Sequence, residues 1–133
     1  MKAYIAASWQ NRFRLREIRT QLAEVNIQVM SQWIDMDRDY GTGDEGSVFT
    51  QEADRDYADI DKATFLILDT TDTATRGGRE WEAGYATGRN KPVIRIGPVI
   101  TPFHARVAAS YDSWEKYINV LRTTLENVPP RNN

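Results

Sequence analysis

The sequence has 133 residues, with no cysteine and a single histidine, His104. Without cysteine the chain can form no disulfide, no thiolate-ligated zinc site, no iron–sulfur cluster and no cysteine nucleophile. A single histidine also argues against a multi-histidine metal centre and against a Ser-His-Asp triad. We therefore expect no metal and no cofactor, and we expect any chemistry to rest on carboxylates.

Long hydrophobic runs and an excess of basic residues are also missing. No apolar run approaches the roughly 20 residues of a transmembrane helix, and Met1-Lys2 leads directly into a strand-like segment instead of a signal peptide. The 17 Lys and Arg against 19 Asp and Glu give a net charge of -2, whereas proteins that coat nucleic acid are usually basic. These features predict a cytoplasmic protein that binds a small ligand or a protein partner, with neither a membrane nor a nucleic-acid polymer as its target.

What is present is the composition of a folded domain. Hydrophobic residues make up 41% of the chain and charged residues 27%, which is too apolar for wholesale disorder. A chain of this length forms one domain and buries roughly two-thirds of the surface exposed by its unfolded form. We expect a single domain over residues 1–128 and a flexible tail over residues 129–133.

Four short segments have the continuous hydrophobic character of buried strands. They are the segments 3–8, 27–30, 64–69 and 92–97. After each strand, the pattern favours a helix, and in three of the four the apolar residues recur every three or four positions. The helical segments begin near Leu15, Phe49, Arg79 and Trp114. This alternation predicts an α/β fold with a parallel sheet and helices on both of its faces.

In a parallel sheet of this kind, ligands bind beyond the carboxyl ends of the strands. The segments that follow the predicted strands are 8–12, 35–47, 69–78 and 97–104. Of these, the polar and glycine-rich segment 35–47 has two interpretations. It is either a plain linker or a lid over a pocket.

The stretch 75–86 is the most informative part of the sequence. Gly77 and Gly78 stand between a strand and a helix, where backbone N–H groups can approach an anionic ligand or simply form a tight turn. Glu82 lies one turn further on and shares a helix face with Arg79. Because Glu80 is two positions earlier, about 200° away around the helix, we expect Glu80 to point to solvent.

A second carboxylate must lie nearby if Glu82 takes part in acid–base chemistry. Asp56, one turn before the apolar Ile60, is the candidate. The spacing of residues around the helix does not by itself decide whether Asp56 lines a site or belongs to a solvated acidic face. We place Asp59 and Asp61 on the surface.

Four motifs together resemble the nucleoside 2-deoxyribosyltransferase superfamily, which includes the deoxynucleoside monophosphate N-glycosidases. The resemblance runs in order from Tyr4 to Val93, most of the chain. Its motifs are Tyr-Ile-Ala-Ala-Ser-Trp at 4–9, Asp-Tyr-Ala-Asp-Ile-Asp-Lys-Ala at 56–63, Gly-Arg-Glu-Trp-Glu-Ala-Gly-Tyr-Ala at 78–86 and Gly-Arg-Asn-Lys-Pro-Val at 88–93. The Glu-x-Gly-Tyr-Ala motif followed by Lys-Pro-Val is the most specific part.

The resemblance implies a flavodoxin-like or Rossmann-like three-layer sandwich with a four- to five-stranded parallel sheet. It also implies cleavage of the bond between a base and deoxyribose. Glu82 matches the nucleophile that attacks the anomeric carbon, Asp56 the carboxylate that handles the proton of the departing base, and Tyr4 the tyrosine that orients the nucleophile. Trp9 matches a residue packed beside the base, and Ser8 matches a residue of the monophosphate hydrolases.

Other positions depart from the family pattern. Thr64 replaces an Asp that looks structural, Arg76 replaces an Asp or Ser, and Gln10 stands where the hydrolases have a phosphate-reading Arg. Arg12, Arg76 and Arg79 lie near the glycine pair and could bind a phosphate. They could equally pair with Asp44, Glu45 or Asp69. We count Arg12, Gly77, Gly78 and Arg79 as candidate substrate-binding residues.

Two further residues are candidates for the site. Related enzymes complete each pocket with a residue from a neighbouring subunit, and His104 is the candidate for that role. The small domain is then expected to form a homo-oligomer, a dimer or larger. Trp33 either lines the base pocket or packs in the core.

The leading hypothesis is an enzyme that cleaves 2′-deoxynucleosides or their 5′-monophosphates, either by hydrolysis or by transfer to another base. A non-catalytic nucleotide-binding module on the same scaffold is the first alternative. A TIR-like NAD glycohydrolase, which shares this type of sheet and a carboxylate on a helix, is the second.

Overall fold

A five-stranded, all-parallel sheet forms the centre of the protein over the residues that the computed structural model describes, which are 1–36, 45–73 and 77–127. The strands are β1 (Lys2–Ala6), β2 (Gln28–Val29), β3 (Phe65–Asp69), β4 (Val93–Ile96) and β5 (Ala109–Tyr111). Their order across the sheet is β2-β1-β3-β4-β5. This is the flavodoxin-like order, which has its switch point between β1 and β3.

Four helices cover the two faces of the sheet within the described residues. They are α1 (Arg12–Glu24), α2 (Glu45–Lys62), α3 (Gly78–Gly88) and α4 (Trp114–Glu126). Helices α1 and α4 contact each other, and α2 contacts α3, so the molecule is a three-layer α/β sandwich. The predicted fold class is therefore confirmed.

The core is centred on β1 and β3. All five residues of β3 are buried, as are the last four residues of β1. In α1, Leu15, Ile18 and Leu22 are buried against the sheet, as their spacing predicts. Burying each Leu or Ile side chain contributes about 1.5–3 kcal/mol, so these three residues hold α1 firmly against the sheet.

Three features differ from the sequence pattern. Strand β2 has only two residues, because the segment after Val29 turns into a short 3-10 turn, Gln32–Asp35. Strand β5 was not located by the apolar pattern. Asp59, expected on the surface, is 1% exposed, since its carboxylate accepts hydrogen bonds from the backbone N–H and the side-chain amide of Gln32 at 3.0 and 2.8 Å.

Some sequence predictions fall outside the described residues. They include most of the possible lid (37–44), Arg76 and the expected tail 129–133. No helix in the described ranges combines the length and apolar character needed to cross a membrane.

Candidate active site

A cleft of about 620 Å³ opens beside the carboxyl end of β1, at the switch point of the sheet. Its walls come from the segment after β1, the 3-10 turn after β2, helix α2 and the first turns of α3. Seven of the predicted site residues line it: Ser8, Trp9, Trp33, Asp56, Gly78, Arg79 and Glu82. The structure therefore brings most of the candidate residues together in one cavity.

Glu82 lies in the second turn of α3 with its carboxyl group partly buried. The phenol of Tyr4, from the buried strand β1, donates a hydrogen bond to Glu82 Oε2. The pKa of Glu82 is raised to about 8, chiefly by burial and also by the neighbouring Asp56, whereas the Tyr4 hydrogen bond and Arg55 act in the opposite direction. Glu82 is thus a carboxyl group held in a defined orientation and poorly solvated, and once ionised it is a reactive base or nucleophile.

Asp56 projects into the same cleft from α2. Its Oδ1 accepts hydrogen bonds from Nε and Nη2 of Arg55 at 3.4 and 3.2 Å. The pKa of Asp56 is raised to about 6: burial is the main cause, the nearby carboxylates Asp59 and Glu52 add to it, and Arg55 acts in the opposite direction. A carboxyl group with a pKa in this range can exchange a proton with a ligand near neutral pH.

Asp56 and Glu82 interact and therefore titrate as a pair. Between about pH 6 and about pH 8 the pair carries one proton, and the two pKa values place that proton mainly on Glu82. Burial and the two carboxylates raise the pKa of Tyr4 well above its ordinary value, so the phenol stays protonated and keeps donating to Glu82. The arrangement supplies one carboxylate that can attack, one carboxyl group that can donate a proton, and a fixed hydrogen-bond donor.

Two tryptophans form the aromatic side of the cleft. The rings of Trp9 and Trp33 have centroids 6.5 Å apart, and Trp33 Nε1 donates to the carbonyl of Ile5 at 2.8 Å. Trp33 therefore both lines the cleft and packs in the core, which answers the question left open by the sequence. The guanidinium of Arg12 lies 4.2 Å from the centroid of the Trp9 ring and packs on it.

Sequence reasoning missed two further aromatic residues that line the cleft, Trp81 and Tyr57. Trp81 is 72% exposed, and its Nε1 donates to the Tyr57 hydroxyl. The Tyr57 ring in turn stacks on Tyr85 with centroids 4.3 Å apart. Both residues lie inside the motifs at 56–63 and 78–86, next to Asp56 and Glu82, and that adjacency was the available signal. Arg55, beside Asp56, was missed in the same way.

Glu80 differs from its predicted place in solvent. Its Oε1 accepts hydrogen bonds from Arg79 Nε at 2.8 Å and from His104 Nε2 at 2.9 Å. Burial alone would raise the pKa of Glu80, but the hydrogen bonds from Arg79 and His104 outweigh it and hold the pKa below its ordinary value. Helix geometry does turn Glu80 away from Glu82. The loop after β4, which carries His104, covers that side of α3 and keeps the Glu80 carboxylate from pointing to solvent.

His104 does not line the cleft of the single chain. It is fully buried, and its Nδ1 accepts hydrogen bonds from the backbone N–H groups of Ile100 and Thr101 at 3.1 and 3.3 Å. Because Nδ1 is an acceptor, Nε2 carries the proton that is donated to Glu80. Both ring nitrogens are thus engaged, and His104 anchors the loop after β4 to the start of α3.

The arginines near the glycine pair are also engaged. Arg79 is 2% exposed and donates from Nη1 to the carbonyls of Asp69 and Asp72, so it contacts the backbone of Asp69 and not its carboxylate. Arg12 and Gly77 lie beside the cleft without lining it. Gly77 has φ +93°, a left-handed conformation that suits glycine, and it caps α3.

No protein-family model matches the chain, and no curated protein matches it. Solved structures do match. A 2-deoxyribosyltransferase of the psychrotolerant bacterium Bacillus psychrosaccharolyticus has a TM-score of 0.72 and 21% identity over 99% of this chain and 100% of that one.

Two other solved structures are similar. The CMP N-glycosidase BcmB of Clostridium botulinum has a TM-score of 0.60 and 17% identity, and the match covers 92% of this chain and 99% of that one. A conserved protein of Enterococcus faecalis V583 has a TM-score of 0.62 and 11% identity over 93% and 98% of the two chains. These matches agree with the resemblance found in the sequence: the chain has the fold of a 2-deoxyribosyltransferase and of a CMP N-glycosidase.

Proposed function

We propose that this chain is an enzyme of the nucleoside 2-deoxyribosyltransferase superfamily. Its reaction is cleavage of the N-glycosidic bond of a 2′-deoxynucleoside or its 5′-monophosphate. One observation carries the proposal: Glu82, held by Tyr4, lines the same cleft as Asp56. A held carboxylate beside a carboxyl group with a near-neutral pKa suits glycosidic chemistry.

Glu82 is the nucleophile in this proposal. Departure of the base leaves positive charge on the anomeric carbon, and a carboxylate below the sugar stabilises that charge and bonds to the carbon. Because Tyr4 donates to Oε2, Oε1 is the oxygen left to form the bond. The poor solvation that raises the pKa of Glu82 also leaves its anion more reactive toward a cationic centre.

Asp56 is the acid in this proposal. A base leaves poorly as an anion, and proton donation to one of its nitrogens contributes about 10²–10⁴-fold to the rate. The active protonation state has Glu82 ionised and Asp56 protonated, so the pair must carry one proton, and that proton must pass from Glu82, where it mainly resides, to Asp56. Trp9, Trp33 and Trp81 offer aromatic surfaces for the base, and Ser8 lies beside them as a polar contact for the substrate.

The second half of the reaction needs an acceptor for the deoxyribosyl group on Glu82. A second base gives a transferase, and water gives a hydrolase. The test is to incubate the protein with a panel of 2′-deoxynucleosides and their 5′-monophosphates, with and without a second free base. Chromatography then measures the released base and any newly formed nucleoside.

The proposal predicts base release from at least one member of the panel, and it predicts loss of that release in Glu82→Gln. Glu126→Gln, which changes an exposed glutamate at the end of α4, is the matched control and should retain activity. Ribonucleosides and NAD belong in the same panel. Cleavage of NAD alone would favour a TIR-like glycohydrolase, and ligand-induced stabilisation without any cleavage would favour a nucleotide-binding module.

We further propose a cytoplasmic location and assembly into a homodimer or larger oligomer. Exposed apolar side chains near the cleft and on the loop after β4, such as Trp81 at 72% and Phe103 at 80%, support the assembly. Size-exclusion chromatography with light scattering tests it. A monomeric mass at micromolar concentration would contradict the oligomer.

A further inference from the structure

Arg55 is a charged residue of the cleft that neither the sequence motifs nor the proposed mechanism uses. It directly precedes Asp56 on α2, lines the cleft, and its side chain is 21% exposed. The family resemblance in this part of the chain begins at Asp56 and assigns no role to Arg55. A partly buried guanidinium against a proposed acid calls for an explanation.

The contact between Arg55 and Asp56 is one-sided. Nε and Nη2 of Arg55 both donate to Oδ1 of Asp56, at 3.4 and 3.2 Å. Within the described parts of the chain, no group donates a hydrogen bond to Oδ2. Since an oxygen that already accepts two N–H donors from a cation is the poorer place for a proton, Oδ2 is the oxygen that protonates.

We propose that Arg55 is a positioning residue for the acid, which fixes the Asp56 carboxyl group so that Oδ2 carries the proton toward the departing base. This inference rests on the proposed function. In the step itself, the Asp56 Oδ2–H bond breaks and its proton goes to a nitrogen of the base. The electron pair of the C1′–N bond goes to the base, and Glu82 Oε1 bonds to C1′. The remaining negative charge on Asp56 then faces the Arg55 guanidinium.

The charges around Asp56 define what the Arg55 cation changes. The groups that act on or with Asp56 are Arg55, Glu52 and Asp59 from α2, Glu82 from α3 and Tyr4 from β1. Three of these five are carboxyl groups, Tyr4 is a neutral phenol, and Arg55 is the cation among them. Its charge lowers the pKa of both Asp56 and Glu82. Removing that charge must therefore move both titrations of the pair to higher pH.

The test compares three variants with the wild type. Arg55→Gln removes the charge and the two-donor contact. Arg55→Lys keeps the charge but loses the planar guanidinium group that donates two hydrogen bonds at once. Lys62→Gln, at the exposed end of the same helix, removes one positive charge away from the cleft and is the matched control. Circular dichroism and thermal melting establish that each variant folds.

Two readouts are measured on each folded variant. The first is the pH profile of base release from the best substrate of the panel. The second is the titration of the Asp56 side-chain carboxyl carbon by NMR, with the signal identified by its loss in Asp56→Asn. The second readout does not depend on catalysis.

In Arg55→Gln, we expect both limbs of the pH profile and the Asp56 titration to move to higher pH by about one unit. In Arg55→Lys, the titration should stay near its wild-type position while kcat falls about 10- to 100-fold, because a single ammonium group does not fix the carboxyl orientation. Lys62→Gln should match the wild type in both readouts.

The outcomes separate this inference from the proposed function. If the wild type releases base but the Asp56 titration is unmoved in Arg55→Gln, or if Arg55→Lys has the wild-type kcat, the role of Arg55 is refuted and the function stands. If no substrate is cleaved, the proposed function and the role of Arg55 in proton delivery fail together. The NMR titration then shows only whether Arg55 controls Asp56. If Arg55→Gln does not fold, the kcat of Arg55→Lys decides whether Arg55 positions the Asp56 carboxyl group.

Discussion

Tyr4 and Glu82, which are 78 positions apart in the sequence, are joined by a hydrogen bond from the Tyr4 phenol to Oε2 of the Glu82 carboxylate. The bond connects the buried central strand β1 to the second turn of α3. Arg55 holds Asp56 through one oxygen in the same manner. Asp56 and Glu82 thus each have one oxygen engaged by the protein and one oxygen left for chemistry.

The first prediction concerns this hydrogen bond. Tyr4→Phe removes the donor to Glu82 and leaves the ring packed in the core. A hydrogen bond to a charged group is worth about 1.5–3 kcal/mol, which corresponds to a decrease of about 10- to 100-fold in kcat. Steady-state kinetics on the best substrate of the panel measures the change.

Tyr117→Phe is the matched control for Tyr4→Phe, because Tyr117 is also buried but packs on Tyr111 and Trp114, outside the lining of the cleft. It should retain the wild-type kcat. Equal kcat values in both variants would remove Tyr4 from the mechanism.

The second prediction concerns pH. Activity requires one proton on the Asp56 and Glu82 pair, so it falls when the pair gains a second proton and also when it loses its last one. With pKa values of about 6 and about 8, the profile of kcat/KM is a bell with its maximum near pH 7. A profile without an acidic limb, or one that keeps rising above about pH 9, would contradict the shared proton.

The third prediction concerns stability, because a raised carboxyl pKa makes ionisation unfavourable in the folded state. Unfolded Glu82 ionises near its ordinary pKa of 4.5, whereas the folded protein resists ionisation up to about 8. Stability is therefore lost as the pH rises through this interval, and the loss is complete above it. Glu82→Gln removes this cost, on the order of a few kcal/mol, and should raise Tm by several degrees above about pH 8 but change it little at about pH 5.

Glu80→Gln is the matched control, two residues away. Its carboxylate accepts hydrogen bonds from Arg79 and His104, and its pKa is lowered, so its contribution to stability is present at neutral pH and is lost in acid. The variant should lower the stability at neutral pH by about 1–3 kcal/mol. If both variants shift Tm in the same direction above about pH 8, the account of the two carboxylates is wrong.

The fourth prediction concerns the turn after β4. Gly97 has φ +112°, and a Cβ atom there would lie 2.7 Å from Thr70 Oγ1 and 2.9 Å from the Thr71 backbone nitrogen. Gly97→Ala therefore combines backbone strain with a clash against the end of β3. Urea unfolding should show a loss of about 2–4 kcal/mol. Gly84→Ala, in a helix where the added Cβ meets nothing within 4 Å, should not be destabilising.

The sequence predicted the parts of the fold that depend on local pattern. Strands β1, β3 and β4 were located because their residues are mainly apolar; β3 is buried throughout, whereas β1 begins with an exposed residue and β4 is partly buried. The short edge strand β5 was not, since Ala109–Tyr111 has three residues of intermediate or high exposure and exists through its pairing with β4. A pairing of this kind leaves no periodic signal.

The candidate site was likewise predicted where local pattern decides and missed where distant segments decide. Helix spacing and motif resemblance predicted Glu82 and Asp56, which share the cleft. The surface placement of Asp59 and of Glu80 was wrong, because the partners that cover them, Gln32 and His104, come from distant loops. Local periodicity tells which side of a helix a residue faces, but it does not tell what packs on that side.

The most direct test of the account is to find the residue that bonds to the sugar. A 2′-fluorinated arabinosyl analogue of the best substrate slows the second half of the reaction, because fluorine destabilises positive charge at the anomeric carbon, and so the glycosyl-enzyme accumulates. Trypsin cleaves after Arg79 and Arg89, and the peptide 80–89 contains two carboxylates, Glu80 and Glu82. The account predicts that fragmentation mass spectrometry places the sugar on Glu82; an adduct on Glu80 or Asp56, or turnover with no adduct on the protein, would contradict it.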